Sequence, residues 1–346
     1  PKAHGTLPWD VVGGGHALPP TPRQLPRCGR GLGSIPWLSV EVRPVQLDIY
    51  RTAIPMRTFE HAAAPRDVAE AIVVRMELSD KTVGWGETLP RDYVTGETLD
   101  TVPRDIEEIF WPIGHAKHGL PSDLPTTNEG RYVTAARCAF ELAEYDAWSR
   151  FHCRVRGVGP ASYACPKIEV PVSGVLGSAD PARTARRLRL MRWYGLRDFK
   201  LKLGLGDDVD AENLRLVPRR IGKGIARGKF TLRVDVNGGW SADETPGRVA
   251  RLKPYGVCVV EQPVFGPPEE LIELAQRCEL PLMADESMIT PPEAKKFIEA
   301  PGRKVWLNVR LSKNGGTWPA DTIMKAADDA GVPFVVGCMV GESSIL

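Results

Sequence analysis

From residue 166 onward, short apolar runs recur at near-regular intervals, at 168–176, 198–203, 230–236, 256–262, 280–285, 304–311 and 332–340, with helix-patterned stretches between them. Runs of this length bounded by turn residues read as strands buried on both faces. Strands alternating with helices predict parallel β/α units. Asp180-Pro181 marks one helix start, an N-cap acceptor followed by a proline whose missing N–H is not needed in the first turn. Seven such units predict an α/β fold whose parallel strands close into a barrel, with an eighth strand expected past Leu346. A doubly wound open sheet is the alternative, but no Gly-x-Gly-x-x-Gly turn follows the first strand of the series.

The preceding part of the chain has a different rhythm. Val40, Val42, Val45, Leu47 and Ile49 alternate roughly as a strand does, and the run 71–78 meets Val83-Gly84-Trp85-Gly86-Glu87 across Ser79-Asp80-Lys81, which predicts a β-hairpin. Helical spacing follows near 98–111 and 131–150, the second carrying Ala136, Phe140, Ala143 and Ala147 on one side. Together these predict a small α+β domain over 40–165, ahead of the barrel domain over 166–346. Residues 1–39, with Gly13-Gly14-Gly15 and Pro19-Pro20, hold too little apolar surface to offset the entropy of ordering and are expected to be disordered.

Composition narrows the classes. The 346 residues suit one large domain and a smaller one. Lys and Arg number 45 against 43 Asp and Glu, so no strong field favours nucleic acid or an anionic membrane. No apolar run approaches the roughly 20 residues that cross a bilayer. The seven cysteines, Cys28, Cys138, Cys153, Cys165, Cys258, Cys278 and Cys338, show no metal-type spacing and read as reduced thiols of a cytoplasmic protein. The chain opens on Pro1 without the layout of a secretory signal.

In a barrel of this kind, chemistry gathers at the C-terminal strand ends. Lys200 and Lys202 end the second run and share one face, because side chains alternate along a strand. Asp235 and Asn237 end the third, Glu261 the fourth, and Asp285-Glu286-Ser287 the fifth. Singly, each acid reads as a turn or cap residue. Spaced one strand–helix unit apart, Asp235, Glu261 and Asp285 stand side by side on the barrel mouth, where a divalent cation would relieve their repulsion. An all-oxygen set suits Mg²⁺, for which Mn²⁺ can substitute. Lys313 follows the sixth run and lies across the mouth from Lys202. A lysine depressed by nearby positive charge can remove a weakly acidic proton α to a carboxylate.

Lys200-x-Lys202, Asp235-x-Asn237, Glu261-Gln262-Pro263, Asp285-Glu286-Ser287 and Lys313-x-Gly315-Gly316 together resemble the signature set of the enolase superfamily. Within it they are similar to the muconate-lactonizing subgroup of muconate cycloisomerases, o-succinylbenzoate synthases and dipeptide epimerases. The resemblance covers about 41–346 and includes the hairpin ending at Glu87. It implies a modified TIM barrel of (β/α)7β type under an α+β cap, and proton abstraction through an enediolate. By resemblance, Asp235, Glu261 and Asp285 would bind Mg²⁺, and Lys202 and Lys313 would act as acid and base on opposite faces of the α-carbon. Lys200 would contact the substrate carboxylate, with Asn237 and Glu286 in support. Cap loops around 54–64 and 89–98 would read the substrate, with Arg91, Tyr93 and Glu97 as candidates there and Glu342 near strand seven. In dipeptide epimerases the stretch after strand seven carries acidic residues that grip the dipeptide amino group.

An opposed lysine pair serves epimerisation, elimination or cycloisomerisation. The absence of any histidine after His152 argues against the acid-sugar dehydratases of the resemblance. The expected substrate is a small carboxylate, a dipeptide or N-substituted amino acid for an epimerase, with muconate-type cycloisomerase or o-succinylbenzoate synthase as alternatives. An inactive barrel or metal-binding module is the alternative of another class. A homo-oligomer is compatible with the sequence.

Overall fold

The computed structural model describes residues 42–59, 66–116, 124–155, 157, 170–177, 179–204 and 206–345. The Pro/Gly-rich head and part of the 54–64 loop lie outside these residues.

Strands β1 (Pro44–Phe59), β2 (Arg66–Leu78) and β3 (Val83–Thr88) form an antiparallel sheet in that order. The expected hairpin is β2–β3, running in register from Ile72 opposite Thr88 to Glu77 opposite Val83. Short helices α1 (Asp92–Thr95), α2 (Thr101–Asp105) and α3 (Trp111–Ala116) follow, the last two joined by a π-helical turn. A small ladder, β4 (Thr127–Asn128) with β5 (Arg131–Tyr132), precedes the long helix α4 (Thr134–Val155). This helix lies directly on the sheet because both surfaces are stripped to small residues. A β-carbon on Gly84 or Gly86 would overlap the α4 backbone at Ala143, Ala147 and Ala139. Around that contact Ile72, Val74, Met76, Ala139 and Phe140 form an apolar core.

The second sheet is built from strand–helix units: β6 (Ser173–Leu176), α5 (Pro181–Trp193), β7 (Asp198–Lys202), α6 (Asp207–Ile225), β8 (Thr231–Asp235), α7 (Thr245–Leu252), β9 (Val259–Glu261), α8 (Pro268–Arg277), β10 (Leu282–Ala284), α9 (Pro291–Glu299), β11 (Val305–Val309), α10 (Leu311–Asn314), α11 (Thr317–Ala330) and β12 (Phe334–Val336). All neighbours pair in parallel, in the order β6 to β12, which is the sequence order. The Asp180 carboxylate accepts from Ala182 N at 2.8 Å, so α5 starts where the Asp-Pro signal places it. Alternation sorts the strands into two faces. Phe199, Leu201, Leu232, Val234, Val260, Leu282 and Leu307 point outward into the core under the helices, each such burial stabilising the fold by roughly 1.5–3 kcal/mol. Lys200, Lys202, Arg233, Asp235 and Glu261 hold the opposite phase and point inward. Among the described residues no helix is long and apolar enough to cross a membrane.

Helix α4 is buried on nearly all sides from Thr134 to Glu144. A charged residue there must find a partner or lose its charge. Arg137 and Glu141 pair with each other. The Glu144 carboxylate is buried without a well-formed hydrogen bond, and burial, then the nearby Glu141 charge, raises its pKa from 4.5 to about 8 against a weak contact with the Trp148 indole. The folded state therefore binds this proton more tightly than the unfolded chain. The stability it confers is complete below about 4.5 and is lost as pH rises towards about 8. Glu144→Gln cannot ionise, so its urea midpoint should gain on that of the wild type steadily between pH 5 and 8. A gap that stays constant across that range would contradict the assignment.

Candidate active site

The inward phase of the strands converges at their C-terminal ends. Lys202, Asp235 and Glu261 are register partners on β7, β8 and β9, and Glu261 stands opposite Met283 of β10. Lys200 Nζ lies 2.9 Å from Asp235 Oδ2 and 3.0 Å from Glu261 Oε1, bridging the two acids. Lys202 Nζ lies 2.8 Å from Asp235 Oδ2 and donates to Asn237 Oδ1 at 2.6 Å. Asn237 in turn donates to Glu286 Oε1 at 3.2 Å.

Asp285 sits just past β10, in a turn pinned by Gln262. The Gln262 carbonyl oxygen accepts from Asp285 N at 2.8 Å and Ser287 N at 3.2 Å, while its amide donates to Ser287 Oγ and Val264 O. Asn237 and Gln262 both adopt positive φ, 48° and 37°, conformations that cost a non-glycine residue about 1–3 kcal/mol and persist where surrounding contacts enforce them. Across the mouth, Lys313 Nζ donates to Asp285 O at 2.7 Å, Asp285 Oδ1 at 3.1 Å and Asn308 O at 2.8 Å. Arg310 pairs with Asp285 and lies 3.9 Å from Glu261 Oε1. Asn308 donates to Glu261 Oε1 at 2.8 Å.

Asp235, Glu261, Asp285 and Lys313 are all 0% exposed, so the electrostatics act without solvent screening. Burial alone would push Asp235 up, but the ammoniums of Lys200 and Lys202 hold it well below the usual carboxylate range. Burial lowers Lys202, and the Lys200 charge adds to the effect against the pull of Asp235. Burial also drives Lys313 well down, with the Arg310 charge reinforcing it. Lys200 moves the other way, because Asp235 and Glu261 outweigh its desolvation. Glu286 is raised by burial and by the Asp235 charge.

Among the described residues no three acid, histidine or cysteine side chains form a ready-made metal cage. The three carboxylates lean on basic side chains instead. The donor set nevertheless fits a hard divalent cation: it is all oxygen, dry, and carried on adjacent strand ends. Charge supports the fit. Four acids, Asp235, Glu261, Asp285 and Glu286, balance four bases, Lys200, Lys202, Arg310 and Lys313. Burial draws Lys202 and Lys313 towards the neutral amine, and each positive charge lost there leaves the acids in excess for a cation to meet.

Residues 182–346 match the family model described as Enolase C-terminal domain-like. The N-succinyl-L-Arg/Lys racemase of Bacillus cereus is 28% identical over 86% of this chain and 80% of its own length. The L-Ala-D/L-Glu epimerase of Bacillus subtilis is 26% identical over 86% of this chain and 81% of its own. The crystal structure of the Bacillus cereus racemase superposes with a TM-score of 0.72, at 26% identity over 88% of this chain and 82% of that one. Residues 182–346 belong to the enolase C-terminal domain-like family. The chain's relatives are named racemases and epimerases, so it is an isomerase of the enolase superfamily. The seven parallel strands are those of the superfamily's modified TIM barrel. A dipeptide epimerase of Enterococcus faecalis, complexed with Mg and L-Leu-L-Tyr, shares the fold with a TM-score of 0.70 at 24% identity, over 88% of this chain and 84% of that one.

The structure thus brings together Lys200, Lys202, Asp235, Asn237, Glu261, Asp285, Glu286 and Lys313. The expected substrate-loop residues do not join them. Glu97 is turned into the fold, where its carboxylate accepts from Ala135 N at 2.8 Å and Ala136 N at 2.9 Å and so caps α4. Burial raises its pKa to about 7 against those hydrogen bonds. Arg91 is buried and donates to the carbonyls of Pro90, Glu70 and Val340, and Tyr93 lies at the surface. Glu342 accepts from Met339 N at 2.7 Å, and burial raises its carboxyl to about 7 although Arg310 opposes the shift.

Two residues at the site escaped the sequence reading, Asn308 and Arg310. The signal was available. Leu307 and Val309 hold the outward phase of β11, which leaves Asn308 and Arg310 facing inward.

If Glu97 serves as a helix cap, Glu97→Ala should cost about 1 kcal/mol of stability in urea titration and leave the KM for substrate unchanged. A large rise in KM at unaltered stability would return it to the substrate site.

Proposed function

We propose that this enzyme is a Mg²⁺-dependent racemase or epimerase that inverts the carbon α to the carboxylate of an N-acylated amino acid or a dipeptide. One observation carries the reading. Two buried lysines, Lys202 and Lys313, approach the same trio of carboxylates from different sides, and both are shifted away from permanent protonation. An unperturbed lysine near 10.4 would be a poor base at neutral pH. The names of the relatives supply the substrate class.

Asp235, Glu261 and Asp285 would hold the cation. When bound, the cation draws off the negative charge that builds on the substrate carboxylate as the α-proton leaves. One lysine, neutral, takes that proton from one face. The other, as the ammonium, returns a proton to the opposite face, so configuration inverts and the two lysines exchange protonation states. Lys200, held between Asp235 and Glu261, keeps a fixed positive charge beside Lys202 and the incoming carboxylate. Asn237 orients Lys202, and Gln262 fixes the turn that bears Asp285. Mg occurs in related dipeptide epimerases, which agrees with the oxygen donor set.

The test is α-proton exchange. The enzyme with Mg²⁺ in D₂O should replace the α-hydrogen of at least one member of a panel containing N-succinyl-L-arginine, L-Ala-L-Glu and a hydrophobic dipeptide, read by proton NMR. Lys202→Ala should depress turnover by about 10²–10⁴-fold, the usual contribution of a general base, while Mg²⁺ binding persists. No exchange across the panel together with turnover of a muconate would replace this reading with cycloisomerisation. Asp235→Asn should weaken Mg²⁺ binding in calorimetry and lower activity in parallel. Wild-type activity of that variant at limiting Mg²⁺ would refute a ligand role.

A further inference from the structure

The turn that carries Lys313 is gripped by two elements outside the barrel. On one side, Ser312 Oγ shares a hydrogen bond of 2.7 Å with Thr88 Oγ1 of β3 and accepts from Leu89 N at 3.1 Å. On the other side, Arg137 of α4 donates to Gly315 O, the carbonyl that follows the Lys313-Asn314 step, and also pairs with Glu141. Its Nε donates to Leu124 O at 3.2 Å. Glu141 accepts from Thr317 Oγ1 at 2.5 Å and from Trp318 N at 2.8 Å, closing the first turn of α11. Between these contacts the chain passes so close to Glu141 that a β-carbon on Gly316 would lie 2.8 Å from its carboxylate, and Gly316 has φ +106°. The Lys-x-Gly-Gly segment is therefore shaped to receive the Arg137–Glu141 pair.

The pair is dry, with side chains 1% and 6% exposed. A buried ion pair is a weak source of net stability, since apolar residues of similar volume often serve as well. Fixed geometry is what it supplies. Lys313 stands on a helix of only four residues, Leu311–Asn314, which is too short to hold its own position. A base must be placed to within a fraction of an ångström, and a 1 Å error costs about 10²-fold.

We propose that Arg137 and Glu141 are positioning residues for Lys313, setting the height of its turn at the barrel mouth and so governing proton transfer on one face of the substrate only. The other face is served by Lys202, which is carried on β7 and touches neither residue. The inference rests on the reading of Lys202 and Lys313 as opposed bases.

Overall inversion uses both lysines in each direction and is bound by the equilibrium constant, so the informative readout is α-proton exchange in D₂O measured separately from each configuration. The probes are N-succinyl-L-arginine with N-succinyl-D-arginine, or L-Ala-L-Glu with L-Ala-D-Glu. Lys313→Ala identifies the configuration that depends on Lys313. Glu141→Gln and Thr317→Val should then slow exchange from that configuration roughly tenfold or more and leave exchange from the other near wild type, with Glu141→Asp recovering part of the loss. Thr317→Val removes a single hydroxyl and decides the matter where Glu141→Gln does not fold. Equal losses from both configurations, or wild-type exchange from both in Thr317→Val, would overturn the proposal. A wild-type enzyme that exchanges neither configuration would instead overturn the proposed function.

Discussion

Three carboxylates without solvent exposure, set side by side at the mouth of a barrel, must be neutralised where they stand. Asp235, Glu261 and Asp285 cannot turn to water, because the outward phase of their strands is committed to Leu232, Val234, Val260 and Leu282 under the helices. Their charge is met by four basic groups arriving from β7, the turn after β11 and α10. Such a site is tightly balanced. In the proposed reaction one lysine loses its charge to act as a base and an anionic substrate enters, and each change favours a hard dication, so the proposed catalysis and the proposed metal follow from the same electrostatic constraint.

The α+β layer does more than cover the barrel. Its sheet and α4 meet through glycine and alanine at backbone distance, so α4 is held rigidly. The same helix extends Arg137 and Glu141 into the end of α10 and the start of α11, while β3 reaches Ser312 through Thr88. One rigid body thus touches the base-bearing turn on both sides. Glu144, one helical turn beyond Glu141, bears the cost of burying α4 so completely, its carboxylate making no well-formed hydrogen bond.

Much of this was legible along the chain. The apolar runs marked all seven parallel strands, and the helical alanines marked α4. Alternation put Lys200 with Lys202 and Asp235 with Asn237 on a shared face, and the strand-end spacing grouped Asp235, Glu261 and Asp285 at the barrel mouth. Asn308 on β11 and Arg310 just past its end carry the same alternation signal but belong to no motif that would mark them. The surroundings of Glu97 were not legible for a different reason. A loop acid reads alike whether it faces a substrate or a helix end, and the helix it caps begins 37 residues later at Thr134.

Which side chains share a face is written along the chain, because alternation in a strand and spacing in a helix are set by local backbone geometry. What those side chains meet is settled by the fold. Lys200 bridges Asp235 and Glu261, Arg310 claims Asp285, and Arg137 finds Gly315. Those pairings depend on how the sheet curls and how closely α4 approaches it, and both are set by packing between segments far apart in the chain.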